Sequence, residues 1–115
     1  MIEKQIMDAL EGVAAGGIYF DSAPEGTPLP YVTISGVGGN VISFLEGRAR
    51  ERNPRIQIDV FAAKRSEANK IMDAAAAIVC DGVLNAEQLG EPFSAFDNSV
   101  ATYRRSCDFS FWCPA

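Results

Sequence analysis

Between Arg55 and Val60 the chain alternates polar and apolar residues without a break, with Phe61 the one apolar residue on the polar side before Ala62, and no other feature limits its fold as much. Ile56, Ile58, Val60 and Ala62 fall on one side; Arg55, Gln57 and Asp59 fall on the other. A period of two is that of a strand with one face buried and one face open. Such a strand needs neighbours that alternate in the same way, and a second layer to cover its apolar face. Tyr31–Val37 supplies one neighbour, with Val32 and Ile34 set against Tyr31, Thr33 and Ser35. Val100–Cys113 supplies another. Its one face carries Tyr103, Arg105, Cys107, Phe109 and Phe111; the other carries Arg104, Ser106, Asp108, Ser110 and Trp112. Ile18-Tyr19-Phe20 is a short further strand candidate.

The covering layer is visible as two helical stripes. Ile2, Ile6, Ala9, Leu10 and Val13 predict an amphipathic helix over 2–14, stopped by Gly16-Gly17. Ala68, Ile71, Met72, Ala75, Ile78 and Val79 predict a second over 66–81, with Ser66 as N-cap and Gly82 as its stop. One-faced strands and one-striped helices pack most economically as an α+β two-layer sandwich. The expected order is α-β-β-β-α-β: one mainly antiparallel sheet of about four strands, with both helices on one face. The 115 residues match a single domain over 1–115. Asp21–Pro30, with Pro24, Gly26, Pro28 and Pro30, is a loop. In residues 38–54, Val41, Ile42, Phe44 and Leu45 extend a strand, and the charged Glu46–Pro54 stretch reads as an exposed loop. Residues 83–99 carry mixed signals, with Gly90 and Pro92 as breakers.

Composition narrows the function. The chain has no histidine, which removes Ser-His-Asp and Cys-His catalysis and imidazole zinc sites. The three cysteines, Cys80, Cys107 and Cys113, form no CxxC pair and read as reduced, mostly buried thiols. A net charge of −5 argues against general nucleic-acid binding. No apolar run reaches the ~20 residues of a membrane helix. The N-terminus lacks a basic segment followed by an apolar one, so no secretory signal is expected and the cytosol is the default.

The motif candidates are weak. Gly36-Val37-Gly38-Gly39-Asn40-Val41 resembles a phosphate loop, but the third glycine of the pattern falls at Val41 and no lysine follows. It reads instead as a flexible strand end. Asp59 and Asp108 lie mid-strand on polar faces; they could pair for acid–base work or a cation, or simply face solvent or a subunit. Arg48, Arg50, Arg52 and Arg55 form the only basic cluster, interleaved with Glu46 and Glu51, and suit either solvent or a carboxylate-bearing neighbour. Tyr31, Phe61 and Trp112 are aromatics on an otherwise polar face. Trp112 either marks an interface or caps the core beneath the first helix, and a partly covered outer face calls for another subunit or a folded-back loop.

Ala23-Pro24-Glu25-Gly26-Thr27-Pro28-Leu29-Pro30-Tyr31-Val32 before one strand, and Arg55-Ile56-Gln57-Ile58-Asp59-Val60-Phe61 in the next, resemble the phage and prophage tail-completion family. Its members are tail-terminator and head–tail joining proteins, and the resemblance spans nearly the whole chain. It implies a viral structural protein of the virion, made in the host cytoplasm during assembly. It further implies a homo-oligomeric ring, often a hexamer, at the head-proximal end of the tail. Implied partners are further copies, the tail-tube protein and head–tail connector proteins, with DNA passing through the lumen without specific binding. No membrane, cofactor or metal is implied, and no catalysis. The residues expected to serve assembly are Arg48, Arg50, Arg52, Arg55, Phe61, Arg104, Asp108 and Trp112. The rival reading is a small dimeric α+β module that binds a ligand or peptide without catalysis. An enzyme built on Asp59 and Asp108 comes last.

Overall fold

The computed structural model describes residues 2–40, 43–44, 47–48 and 51–114. Along the chain these give α1 (Ile2–Ala9), β1 (Ile18–Phe20), β2 (Tyr31–Asn40), β3 (Ser43–Phe44), β4 (Gly47–Arg48) and β5 (Glu51–Ala62). There follow α2 (Arg65–Asp81), β6 (Glu87–Asp97), β7 (Thr102–Ser110) and β8 (Cys113–Pro114). The fold is α+β, as the alternation requires. Five strands lie side by side in the order β1-β2-β5-β7-β6, and β8 pairs with the start of β5. β1 runs parallel to β2; the other neighbours are antiparallel, so the sheet is mixed.

The alternation seen in sequence becomes the inner face. Val32, Ile34, Ile56, Ile58, Val60, Ala62, Cys107, Phe109 and Phe111 are buried there. Ile2, Ile6 and Leu10 from the first helical segment join them in one core cluster with Ala68, Met72, Ala75 and Val79 of α2. Both helices therefore cover the same sheet face. The connection from β5 through α2 leads to β6, parallel to β5, and β7 then returns between the two. Strands of α2's two flanking segments are thus not neighbours, and β7 sits in the middle of the sheet.

Several expectations need correction. Helix α1 ends at Ala9 rather than residue 14, because Gly12 takes a left-handed φ of +83°. Leu10 and Ala14 are nonetheless buried, which is why the apolar stripe outlasts the helix. Helix α2 begins at Arg65, with Lys64 at the N-cap position, so Ser66 lies in the first turn and caps nothing. The stretch Glu51–Pro54 is not loop: β5 continues through it, pairing Pro54 with Gly39 and Asn53 with Asn40. Asn53 explains the ordering, since its buried amide donates to Ser110 Oγ (2.7 Å) and to the Phe111 carbonyl (2.8 Å). The final strand does not run unbroken to Cys113. It ends at Ser110, and Cys113–Pro114 turns to pair with Arg52 and Glu51.

The largest correction is β6. Residues 83–99 hold an eleven-residue edge strand that brings the sheet to five strands. Gly90 and Pro92 do not break it. They fall between Leu89 and Phe93, where the register against β7 shifts, and a bulge absorbs both. Of the 38–54 expectations, Val41, Ile42 and Leu45 lie outside the described residues. Phe44 does fall in a short strand, β3, paired with β4. No described helix is long and apolar enough to cross a membrane.

Candidate functional site: the open sheet face

Among the described residues both helices pack on the inner face, and the polar half of each alternating strand meets on the other. Register sets the neighbours: Asp59 lies opposite Ser106 and Thr33, Gln57 opposite Asp108 and Ser35, Phe61 opposite Arg104 and Tyr31. Two ion pairs cross from β5 to β7. Arg55 donates from Nε (2.9 Å) and Nη2 (2.6 Å) to Asp108 Oδ2. Arg104 Nη2 donates to Asp59 Oδ1 at 3.2 Å. The pairs differ in setting. Arg55 and Asp108 are partly open to solvent, whereas the Asp59 side chain is only 7% exposed. Asp59 also accepts from Gln57 Nε2, 3.0 Å from each carboxylate oxygen, and from the hydroxyl of fully buried Ser106.

Asp59 and Asp108 thus share a face, as the sequence allowed, but each is engaged by its own arginine. Acid–base work by a carboxylate pair needs two carboxyls bearing on one another or on a common site. Here each oxygen set is taken up by donors from the sheet itself. Among the described residues no three Cys, Asp or Glu converge in the manner of metal ligands.

At one end of this face the aromatics make a cleft of about 560 Å³. Tyr31 and Phe61 stack with ring centroids 4.8 Å apart and planes 18° from parallel, and Tyr19 meets Tyr31 edge-on. The Arg104 guanidinium lies 5.8 Å from the Phe61 centroid, while its Nη2 holds Asp59. Ala95 of β6 and the turn from Asp97 to Val100 complete the walls. Ser99 donates to Asp97 through both its hydroxyl (2.7 Å) and its backbone N–H (3.0 Å), which holds the exposed Asp97 carboxyl below its usual range.

The expected assembly residues separate into three groups. Phe61 and Arg104 belong to the cleft. Arg55 and Asp108 form the exposed ion pair. Arg52 and Trp112 are exposed at the opposite end of the sheet, where β8 joins β5. With 53% of its surface open, Trp112 does not cap the core. Arg48 is in β4, described by its register opposite Ser43. Arg50 lies outside the described residues. The sequence reading missed the contribution of β6: Leu89, Phe93 and Phe96 are exposed on this edge strand. The paired apolar residues either side of Gly90 and Pro92 were the available signal. The three cysteines are free; Cys107 is buried, and Cys80 and Cys113 are half-buried.

A protein-family model, Tail completion protein gp17, matches residues 4–113. The chain belongs to that family. This tail-completion chain is also similar in fold to a solved structure. That structure is a chain in the virion of a native gene transfer agent (GTA) particle, with a TM-score of 0.65. Identity is 17%, and the match covers 97% of this chain and 91% of that one. At that identity the likeness speaks for the fold alone. No curated protein matches the chain.

Proposed function

We propose that this tail-completion chain is a non-catalytic structural part that closes into a homo-oligomeric ring at the head-proximal end of a phage tail. There it ends tube growth and presents a docking surface to head–tail connector proteins, and DNA passes through the ring without specific binding. Its place is the virion, after assembly in the host cytoplasm. The observation that carries this reading is the family match over residues 4–113, almost the whole chain. The open face supports it. Helices cover one side of the sheet, and exposed aromatics and a long edge strand remain on the other; such features serve contacts with further chains. The arginines of that face are held by Asp59 and Asp108, so their charge is met within the protomer rather than offered to phosphates.

Deletion of the gene from the genome that encodes it, with complementation in trans, tests the proposal. Loss should leave heads and tails unjoined, with tails of uneven length, and the complementing copy should restore uniform particles. Intact, infectious particles without the chain would overturn it. The aromatic cleft favours a second reading, a small dimeric α+β module that takes a ligand or peptide there. A fixed dimer across a wide concentration range, with normal particles in the deletion, is the outcome that reading requires.

A further inference from the structure

We propose that Trp112 of one copy seats in the Tyr31–Phe61 cleft of a neighbouring copy, so that the occupant of the cleft is this chain itself. The inference rests on the ring reading only for the number of copies that close.

The donor end is built to present an aromatic. Trp112 is the chain's one tryptophan and is 53% exposed. It does not sit on a loose tail. Phe111 beside it is fully buried, with its backbone N–H donating to the Pro54 carbonyl at 3.0 Å, and Cys113 pairs with Arg52 on the far side. An exposed indole held between two anchored residues loses little freedom when it is buried by a partner. Tryptophan is also the residue type most enriched among the anchors that dominate protein–protein contacts.

The acceptor end is complementary. Its cleft of about 560 Å³ has a floor of stacked Tyr31 and Phe61 and a rim that exposes Val100. Charge agrees as well. Exposed Arg52 lies beside Trp112, and exposed Asp97 lies on the cleft. Copies that each carry a net −5 repel one another at a distance, so a contact between them benefits from a local pair of opposite sign.

The two patches lie at opposite ends of β5, and the span from Arg52 to Phe61 within it is roughly 30 Å at the rise of a strand. They are different surfaces. A contact between unlike patches leaves one of each free on every pair, and closure of the series gives a ring.

The test uses the full-length chain and two variants, Trp112→Ala and Ala95→Arg. Ala95 is an exposed edge-strand residue, and arginine there fills the cleft beside Arg104. Circular dichroism first confirms that both fold. Self-association is then measured by sedimentation velocity over a concentration series, together with the emission wavelength of the single tryptophan in the unsubstituted chain. Association should shift that emission to the blue, and each variant should associate about tenfold more weakly or worse. An equimolar mixture of the two variants should recover one sound contact and give a one-to-one pair. Trp112→Ala that assembles like the unsubstituted chain, or a mixture that stays monomeric, overturns the inference. So does an unsubstituted chain that never associates. Rings that persist in Trp112→Ala would overturn the inference and leave the ring reading standing. A fixed dimer abolished by Trp112→Ala would do the reverse.

Discussion

Replacing Asp59 by alanine should cost far more stability than replacing Asp108, although both carboxylates pair with an arginine on the same face. Asp59 is almost sealed from water and accepts hydrogen bonds from Gln57, Arg104 and Ser106. Its removal strips a buried serine hydroxyl of its acceptor, worth about 1–3 kcal/mol, and breaks a hydrogen bond to a charged group, worth about 1.5–3 kcal/mol. Part of this is recovered because Arg104 is 41% exposed and regains water. The net cost should be about 2–4 kcal/mol. Asp108 loses only a pair whose arginine is 49% exposed, and about 0–1 kcal/mol is expected there. Urea unfolding followed by far-ultraviolet circular dichroism reads the difference. With a slope of about 1.5 kcal/mol per molar urea, the midpoint should fall by roughly 1.3–2.7 M for Asp59→Ala and by less than about 0.7 M for Asp108→Ala. Equal midpoints for the two variants would refute the reasoning, since burial would then not be what separates them. A double-mutant cycle with Arg104→Ala should return a coupling of about 1 kcal/mol or more.

Two other perturbations probe the scaffold. Gly16→Ala should destabilise by about 2 kcal/mol or more in the same urea assay, because a Cβ there collides with the carbonyl oxygens of Pro28 and Pro30. A stability equal to that of the unsubstituted chain would mean that the Pro28–Pro30 backbone yields freely. Burial first, then the Asp81 carboxylate, raises the Cys80 thiol; burial, then Asp108, raises that of Cys107. The unfolded chain releases these protons at about pH 8.5, the folded chain only at higher pH, so stability is complete below that value and falls as pH rises through the folded range. Urea midpoints at neutral and alkaline pH should show a loss that shrinks in a Cys80→Ala, Cys107→Ala variant, and an unchanged loss would contradict the assignment.

Much of the fold was legible because its central strands alternate cleanly. Ile56, Ile58, Val60, Phe109 and Phe111 could be placed on the inner face from period alone, and the stripe from Ala68 to Val79 marked α2. Strand β6 was not legible for a physical reason. Every residue in it is exposed except half-buried Pro92, so no buried face imposed an alternation on Leu89, Phe93 and Phe96. The continuation of β5 through Glu51–Pro54 was hidden similarly. Its charged residues look like loop, and only the pairing of Asn53 and Pro54 with β2 orders them. On the candidate site, the polar face was readable from the strands, but its chemistry was not. Whether Asp59 and Asp108 act as a pair depends on which arginine stands diagonally across from each. That is a matter of register between β5 and β7, and no single strand carries it. The cleft was likewise invisible, since Phe61 and Ala95 come from strands separated by β7 and its floor needs Tyr31 from a third.

The most direct test of the central claim is cryo-electron microscopy of tails assembled with this chain present, at a resolution that identifies the subunit at each end of the tube. A closed ring of copies should stand at the head-proximal end, with the connector seated on it. Tubes whose head-proximal end carries no such ring, while the chain remains free in solution, would contradict it.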